Sequence, residues 1–250
     1  MTLMQFKNLC ILSTAVLTTS STFAAKPPEN FREAKKEIVK IFKQLEEPTT
    51  LYCGCDIVFP RRGGYKPDLS SCGYRIHHDA KRARRIEAEH IMPAWEFGHN
   101  LSCWENAERG EGRQTCEDTS KLFNRMESDL HNLYPSIGEV NKERSNYKYT
   151  EYLSDISNIE SFGSCQMYVS PHNHRAIIPQ RSRGVAARAY LYMSYQYKIP
   201  LDRNQLELYL KWDKDYPPNR NECLRNQLIA EIQGNENPFL TKKCNSVFLN

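Results

Sequence analysis

Arg85-Ile86-Glu87-Ala88-Glu89-His90-Ile91-Met92-Pro93-Ala94-Trp95 is the stretch on which the reading of this chain turns. Residues 84–90 have the length and composition of a short strand, and the turn-forming Met92-Pro93 closes it. Neighbouring side chains on a regular strand point to opposite faces. Glu89 and His90 can therefore serve one site only if the strand ends or bends at His90, which the loop just beyond it permits. Asn132 follows 42 residues after His90, within Asp129-Leu130-His131-Asn132-Leu133-Tyr134-Pro135.

These residue types suit the hydrolysis of a phosphodiester. A water must lose its proton in line with the leaving oxygen, and charge gathering on the phosphoryl oxygens must be offset. A neutral imidazole, with an ordinary pKa of ~6.5, suits the first task. Mg²⁺ suits much of the second, because it keeps several waters and needs only one or two protein oxygens. Glu89 and Asn132 are the expected metal ligands and His90 the expected base. Glu87 resembles Glu89 but lacks the adjoining histidine. His131 lies about 100° round a helix from Asn132 and is expected to face away. Trp95 and Phe97 are expected to pack the core.

Outward from this segment, the chain reads as one mainly helical α+β domain around a small antiparallel sheet. Phe31, Ala34, Ile38, Ile41, Phe42 and Leu45 recur at helical spacing over residues 30–45, and Asn30 with Glu33 forms a capping box. Residues 51–74 read as loops and short strands, and 103–119 as a polar excursion. The stripe Leu122, Phe123, Met126, Leu130, Leu133 predicts a helix over 120–133, stopped by Pro135. Residues 183–197, 202–214 and 221–233 also have helical periodicity, with Asp202 as an N-cap and Gly234 just past a C-terminus.

The first residues fix the compartment. Lys7 precedes a short apolar run, and small residues follow to Thr22-Phe23-Ala24-Ala25, the pattern of an export signal cleaved after Ala24 or Ala25. The expected division is signal 1–24 and mature domain 25–250, periplasmic or secreted and off the membrane after cleavage. Of nine cysteines, Cys10 leaves with the signal. An even remainder in an exported chain reads as four disulfides. Cys103 with Cys116 and Cys223 with Cys244 are the local pairs, leaving Cys53, Cys55, Cys72 and Cys165 to pair among themselves. Cys53-Gly54-Cys55 does not have zinc-site spacing, and neither HExxH nor HxxEH occurs.

The formal net charge of +4 says little about partners, but its distribution says more. Residues 61–85 hold eight Lys/Arg against two acids, and 175–188 hold four arginines and no acid. Both stretches could form cationic faces. Lys81, Arg82, Arg84 and Arg85, next to the Glu89-His90 pair, are the expected contacts to nucleic-acid phosphates. With no element visible to read base edges, tolerance of sequence is expected.

Glu89-His90-Ile91-Met92-Pro93-Ala94-Trp95, Phe97-Gly98 and Met126-Glu127-Ser128-Asp129-Leu130-His131-Asn132-Leu133 closely resemble the bacterial endonuclease I family. Ile137-Gly138-Glu139-Val140-Asn141, Arg144-Ser145-Asn146-Tyr147, Arg183-Gly184, Ala187-Arg188 and Tyr190-Leu191-Tyr192-Met193 extend the likeness over nearly all of the mature chain. The resemblance implies a ββα-metal (His-Me finger) site with one Mg²⁺, where Mn²⁺ or Ca²⁺ can also sit. It implies non-specific endonucleolysis of DNA and RNA by a monomer, leaving 5′-phosphate ends. It also gives Arg113 the role of holding the phosphate in the transition state. A non-catalytic exported nucleic-acid binder is the rival reading. It would share the basic face, but it has no need of Glu89, His90 and Asn132 together.

Overall fold

The computed structural model describes residues 25–62, 64–153 and 160–249; the export signal expected over 1–24 lies outside them. The first helix, α1 (Phe31–Phe42), starts where the capping pattern predicts, with the Asn30 side chain accepting from the Glu33 N–H at 3.1 Å. Its buried stripe of Ala34, Ile38, Ile41 and Phe42 shares a cluster with Ala88, Leu130, Leu133, Leu228 and Ile229. Each Ile, Leu or Phe in it stabilises the fold by roughly 1.5–3 kcal/mol on burial. Thus α1 is clamped over Ala88, Leu130 and Leu133.

A two-residue ladder, β1 (Ile57–Val58) with β2 (Lys66–Pro67), and a short helix, α2 (Ala80–Ala83), lead to β3 (Ile86–His90). Three helices follow: α3 (Ala94–Gly98), α4 (Ser102–Glu105) and α5 (Gly112–Thr119). The polar excursion expected over 103–119 therefore contains helical turns, with α4 and α5 joined by the Cys103–Cys116 disulfide.

The helix expected over 120–133 is a correction. It stops as α6 (Lys121–Glu127); a 3₁₀ turn covers Leu130–Asn132, and β4 (Leu133–Ile137) follows. The Asp129 carboxylate accepts from the His131 N–H at 2.9 Å, a local bond that competes with helix continuation. Leu130 and Leu133 are fully buried from the turn and strand instead, so the apolar stripe is satisfied without a helix. Pro135 stops no helix. It sits in β4, where its carbonyl accepts from Leu51 N–H at 2.8 Å.

β3 and β4 pair antiparallel, with Glu89 opposite Tyr134 and His90 opposite Leu133. Helix α7 (Gly138–Arg144) begins at once, completing a strand–strand–helix unit. Gly138 makes the close start possible, since a Cβ there would lie 2.7 Å from the Arg82 carbonyl oxygen. Glu139 is buried and accepts from Tyr74 Oη (2.7 Å) and from the backbone N–H groups of His77, His78 and Asp79, which anchors the loop before α2.

Beyond α7, a four-stranded sheet runs in the order β5-β8-β7-β6, from β5 (Lys148–Tyr149), β6 (Glu160–Phe162), β7 (Cys165–Ser170) and β8 (Arg175–Ile177). Its pairings are antiparallel except the parallel one between β5 and β8. Helices α8 (Gln180–Tyr197), α9 (Arg203–Asp215) and α10 (Arg220–Gln233) match the three expected, and α11 (Pro238–Leu249) adds a fourth. Asp202 caps α9 by accepting from Gln205 N–H at 2.9 Å, and Gly234 ends α10 at φ 87°.

The local pairs Cys103–Cys116 and Cys223–Cys244 form as expected, and the other four divide into Cys53–Cys165 and Cys55–Cys72. The stretch 175–188 divides. Arg188 is buried in a bidentate pair with Glu222 (2.7 and 2.6 Å), and Arg183 donates to the Ile178 carbonyl and pairs with Glu151. Arg175 and Arg181 stay exposed, with Arg181 donating to the Cys53 carbonyl. No helix among the described residues is long and apolar enough to cross a membrane.

Candidate active site

A cleft of about 600 Å³ opens beside the end of β3. Glu89 and His90 both line it, because the strand ends at His90 as the sequence requires. Arg144, on α7, fixes that ending. Its Nη1 donates to Glu89 Oε1 (2.9 Å) and to the His90 carbonyl (2.8 Å), and its Nη2 donates to the Ile91 carbonyl (2.6 Å). One guanidinium thereby holds the carboxylate and the departing backbone together. Tyr52 Oη donates to the same Glu89 Oε1 at 2.6 Å. Oε2 of Glu89 accepts no hydrogen bond among the described residues, yet it is not a buried orphan. One carboxylate oxygen is anchored and the other is available to the cleft. Burial raises Glu89 to about 6, against the opposing pull of Arg144 and Tyr52.

His90 Nε2 lies 2.8 Å from the carbonyl oxygen of Glu127. A carbonyl only accepts, so Nε2 carries the proton and the lone pair belongs to Nδ1. Burial, reinforced by the nearby Arg113 charge, pushes the His90 pKa down to about 3, so the ring is neutral near pH 7. Phe31 covers the ring at 4.6 Å between centroids, and Phe97 meets it edge-on at 5.9 Å. The ring is held by one hydrogen bond and two aromatic contacts, which fixes the direction of its lone pair.

Arg113 reaches the cleft from α5. Its Nε and Nη2 both donate to Glu127 Oε1, at 2.8 and 2.6 Å, and its guanidinium lies 5.4 Å from the centre of the Phe31 ring. Glu127 is buried, its Oε2 has no partner among the described residues, and burial raises its pKa to about 7 against the pull of Arg113. Lys35, one turn after Phe31 on α1, also lines the cleft.

Asn132 is a correction. Its Oδ1 accepts from Met92 N–H at 2.7 Å and its Nδ2 donates to the Met92 carbonyl at 2.9 Å. The residue is 0 % exposed and does not line the cleft. Both polar ends of the carboxamide are committed to folding the loop after β3, which removes it as a ligand. Two other amides line the cleft, Asn141 and Asn146, and Asn141 is the one on α7. Its Nδ2 donates to Glu87 Oε2 at 3.0 Å, while its Oδ1 accepts nothing from the described residues. Glu87, which seemed only a near-copy of Glu89, thus turns the oxygen of Asn141 outward.

The expected phosphate contacts divide. Arg82 and Arg85 are both paired with Glu87, and only Arg82 lines the cleft. Lys81 and Arg84 are exposed and make no ion pair among the described residues. Trp95 is a second correction: it keeps 45 % of its surface exposed and lines the cleft, whereas Phe97 packs the core as expected. His131 faces away, donating from Nε2 to the Asn235 carbonyl at 3.0 Å.

Several of these residues could have been read earlier. Asn141 and Arg144 are three apart on a helix and so share a face. Phe31 and Lys35 are four apart on α1 and do the same. Glu127 had no such signal, because its partner Arg113 comes from a separate helix.

The description of one protein family, Endonuclease I, matches residues 30–244 of this sequence. The chain belongs to the Endonuclease I family. It is similar to a periplasmic deoxyribonuclease of Aeromonas hydrophila, 43 % identical over 229 residues, 91 % of this chain and 92 % of that protein. An extracellular deoxyribonuclease of the same organism is 44 % identical over 218 residues, covering 86 % of this chain and 91 % of the relative. Endonuclease-1 of Buchnera aphidicola subsp. Baizongia pistaciae (strain Bp) is 42 % identical over 216 residues, 86 % of this chain and 84 % of the relative. The chain is an endonuclease and lies outside the cytoplasm, where its four disulfides are stable.

Proposed function

We propose that this endonuclease hydrolyses phosphodiester bonds of DNA and RNA with little regard to sequence, as a monomer, with one Mg²⁺ and His90 as general base. The observation that carries the reading is the fixed tautomer of His90: Nε2 donates to the Glu127 carbonyl at 2.8 Å, leaving the Nδ1 lone pair in a cationic cleft. A water placed there gives its proton to Nδ1 as its oxygen forms a bond to phosphorus. The bond from phosphorus to the 3′ oxygen breaks; that oxygen takes a proton from solvent water to become a 3′-hydroxyl, and a 5′-phosphate end remains. Arg113, oriented by Glu127 and Phe31, offsets charge on the phosphoryl oxygens.

The residues present fit a hard cation. Glu89 Oε2 and Asn141 Oδ1 are two uncommitted oxygens on one cleft, enough for Mg²⁺ in its water shell. No group of three or more His, Cys, Asp or Glu among the described residues could hold a metal, so zinc chemistry has no support. When bound, Mg²⁺ would supply Lewis-acid stabilisation of the phosphate and the leaving oxygen. Lys35, Lys81, Arg82 and Arg84 are the cations for the flanking phosphates, and contacts of that kind carry no sequence information.

The test is a digest of plasmid, single-stranded DNA and RNA, with and without EDTA, by wild type and His90→Ala. All three substrates should be cut by wild type only when Mg²⁺ is present. His90→Ala should lose at least about 100-fold in rate while keeping its fold and its binding. Parental rates for His90→Ala, or full activity in EDTA, would remove this mechanism; a non-catalytic binder would leave every substrate intact.

A further inference from the structure

Trp95 stands on α3 at the rim of the cleft that holds Glu89, His90 and Arg113. Its indole lies flat on the imidazole of His99, with centroids 4.0 Å apart and planes 5° from parallel. His99 is itself fixed, since its Nδ1 donates to the Trp95 carbonyl at 2.7 Å. A large apolar ring at a cleft rim is expected to bury itself against the core, as Phe97 does two residues later. Trp95 is instead backed by a half-buried imidazole, and 45 % of its own surface stays open. Packing does not account for that arrangement; a flat, pre-ordered surface beside a phosphate site has a chemical use.

We propose that Trp95, backed by His99, is a stacking platform for one unpaired base next to the scissile phosphate, so that it favours single-stranded or locally opened substrate. The inference rests on the nuclease reading above and names a specificity determinant within it. Lys35, Arg82 and Arg113 hold the strand by its phosphates in the same cleft, which leaves a flanking base to lie against the indole. Every base has a π-face, so stacking adds about 1–3 kcal/mol of affinity per base without reading sequence. In a duplex that face is already covered, and opening it costs a few kcal/mol. The platform therefore helps single strands more than duplexes.

The experiment compares wild type, Trp95→Ala and Trp95→Phe on a short single-stranded oligonucleotide and on its duplex, and repeats the single-strand assay with an abasic site moved along the sequence. Trp95→Ala should raise KM for the single strand about tenfold, with a smaller change in kcat and a smaller effect on the duplex, and Trp95→Phe should recover most of the loss. One abasic position near the cut should cost wild type about the same factor and cost Trp95→Ala nothing further. That non-additivity separates stacking from a general loosening of α3. Equal losses on single strand and duplex, or an abasic scan that affects both proteins alike, would overturn the platform. If wild type cuts neither substrate, the nuclease reading falls and takes this inference with it; if wild type cuts both and Trp95→Ala matches it on single strands, the platform alone is lost.

Discussion

Both ends of the Asn132 carboxamide are taken by the Met92 backbone, whereas Asn141 keeps an oxygen free at the cleft. Two asparagines nine residues apart in sequence therefore answer to different measurements. Asn132→Ala strands a buried N–H and a buried carbonyl, at about 1–3 kcal/mol each, and should lower Tm clearly. Asn141→Ala should leave Tm nearly unchanged and raise the half-saturating Mg²⁺ concentration in a nicking assay about tenfold or more. Thermal melts and a Mg²⁺ titration check the pair, and the opposite pattern would restore Asn132 as the ligand. His131 gives a prediction in pH. Burial lowers its pKa to about 4 from an unfolded value of ~6.5. Between those values the unfolded chain binds more protons, so stability from this group rises with pH through the window and is lost as pH falls from 6.5 to 4. Glu89 and Glu127, raised by burial, act in the opposite sense over part of the same range. The readout is therefore the stability difference between wild type and His131→Gln, which should move against wild type by up to about 3 kcal/mol on acidification from pH 7 to pH 4. A difference independent of pH would refute the assignment.

Elements matter here for what they carry to the cleft. Helix α1 delivers Phe31 and Lys35, β3 delivers Glu89 and His90, α7 delivers Asn141 and Arg144, and α5 delivers Arg113. Of these, α5 is the least supported: it is eight residues long, and only Gly112 and Cys116 are buried. The Cys103–Cys116 disulfide ties it to α4. Closing a loop of 13 residues restricts the unfolded chain by about 3 kcal/mol. Replacing both cysteines with alanine should lower stability by roughly that amount. It should also lower kcat more than it raises KM, because Arg113 loses its fixed distance from the phosphate. Calorimetry and steady-state kinetics on the double variant measure both effects. An unchanged kcat would mean that Glu127 alone positions Arg113.

Over the whole molecule, charge is sorted by burial. Arg188 is buried on Glu222, while Lys81 and Arg84 remain in solvent on either side, in sequence, of the cleft-lining Arg82. Each of those two should release about one counterion on binding. Lys81→Ala and Arg84→Ala should each lower the slope of log affinity against log salt by about 0.7–0.9, equally for unrelated sequences. Arg85, paired with Glu87, should contribute less. Binding measured in EDTA across a salt series decides this, and a loss confined to some sequences would mean base readout.

Periodicity, capping residues and cysteine parity in the sequence were enough to indicate α1, α8, α9 and α10, an exported class of chain and its two local disulfides. The Glu89-His90 pair at a strand end was legible too, because a side-chain alternation rule and a following proline constrain it locally. Tertiary structure decided the break of the 120–133 stripe into a turn and strand, the commitment of the Asn132 amide to the Met92 backbone, the exposure of Trp95 and the pairing of the remaining four cysteines. In each case more than one arrangement was physically acceptable. Leu130 and Leu133 are buried equally well from helix or strand, and an asparagine amide can bind a backbone or face a cleft. Which arrangement wins depends on neighbours such as Met92 and His99, whose positions follow from packing the whole chain.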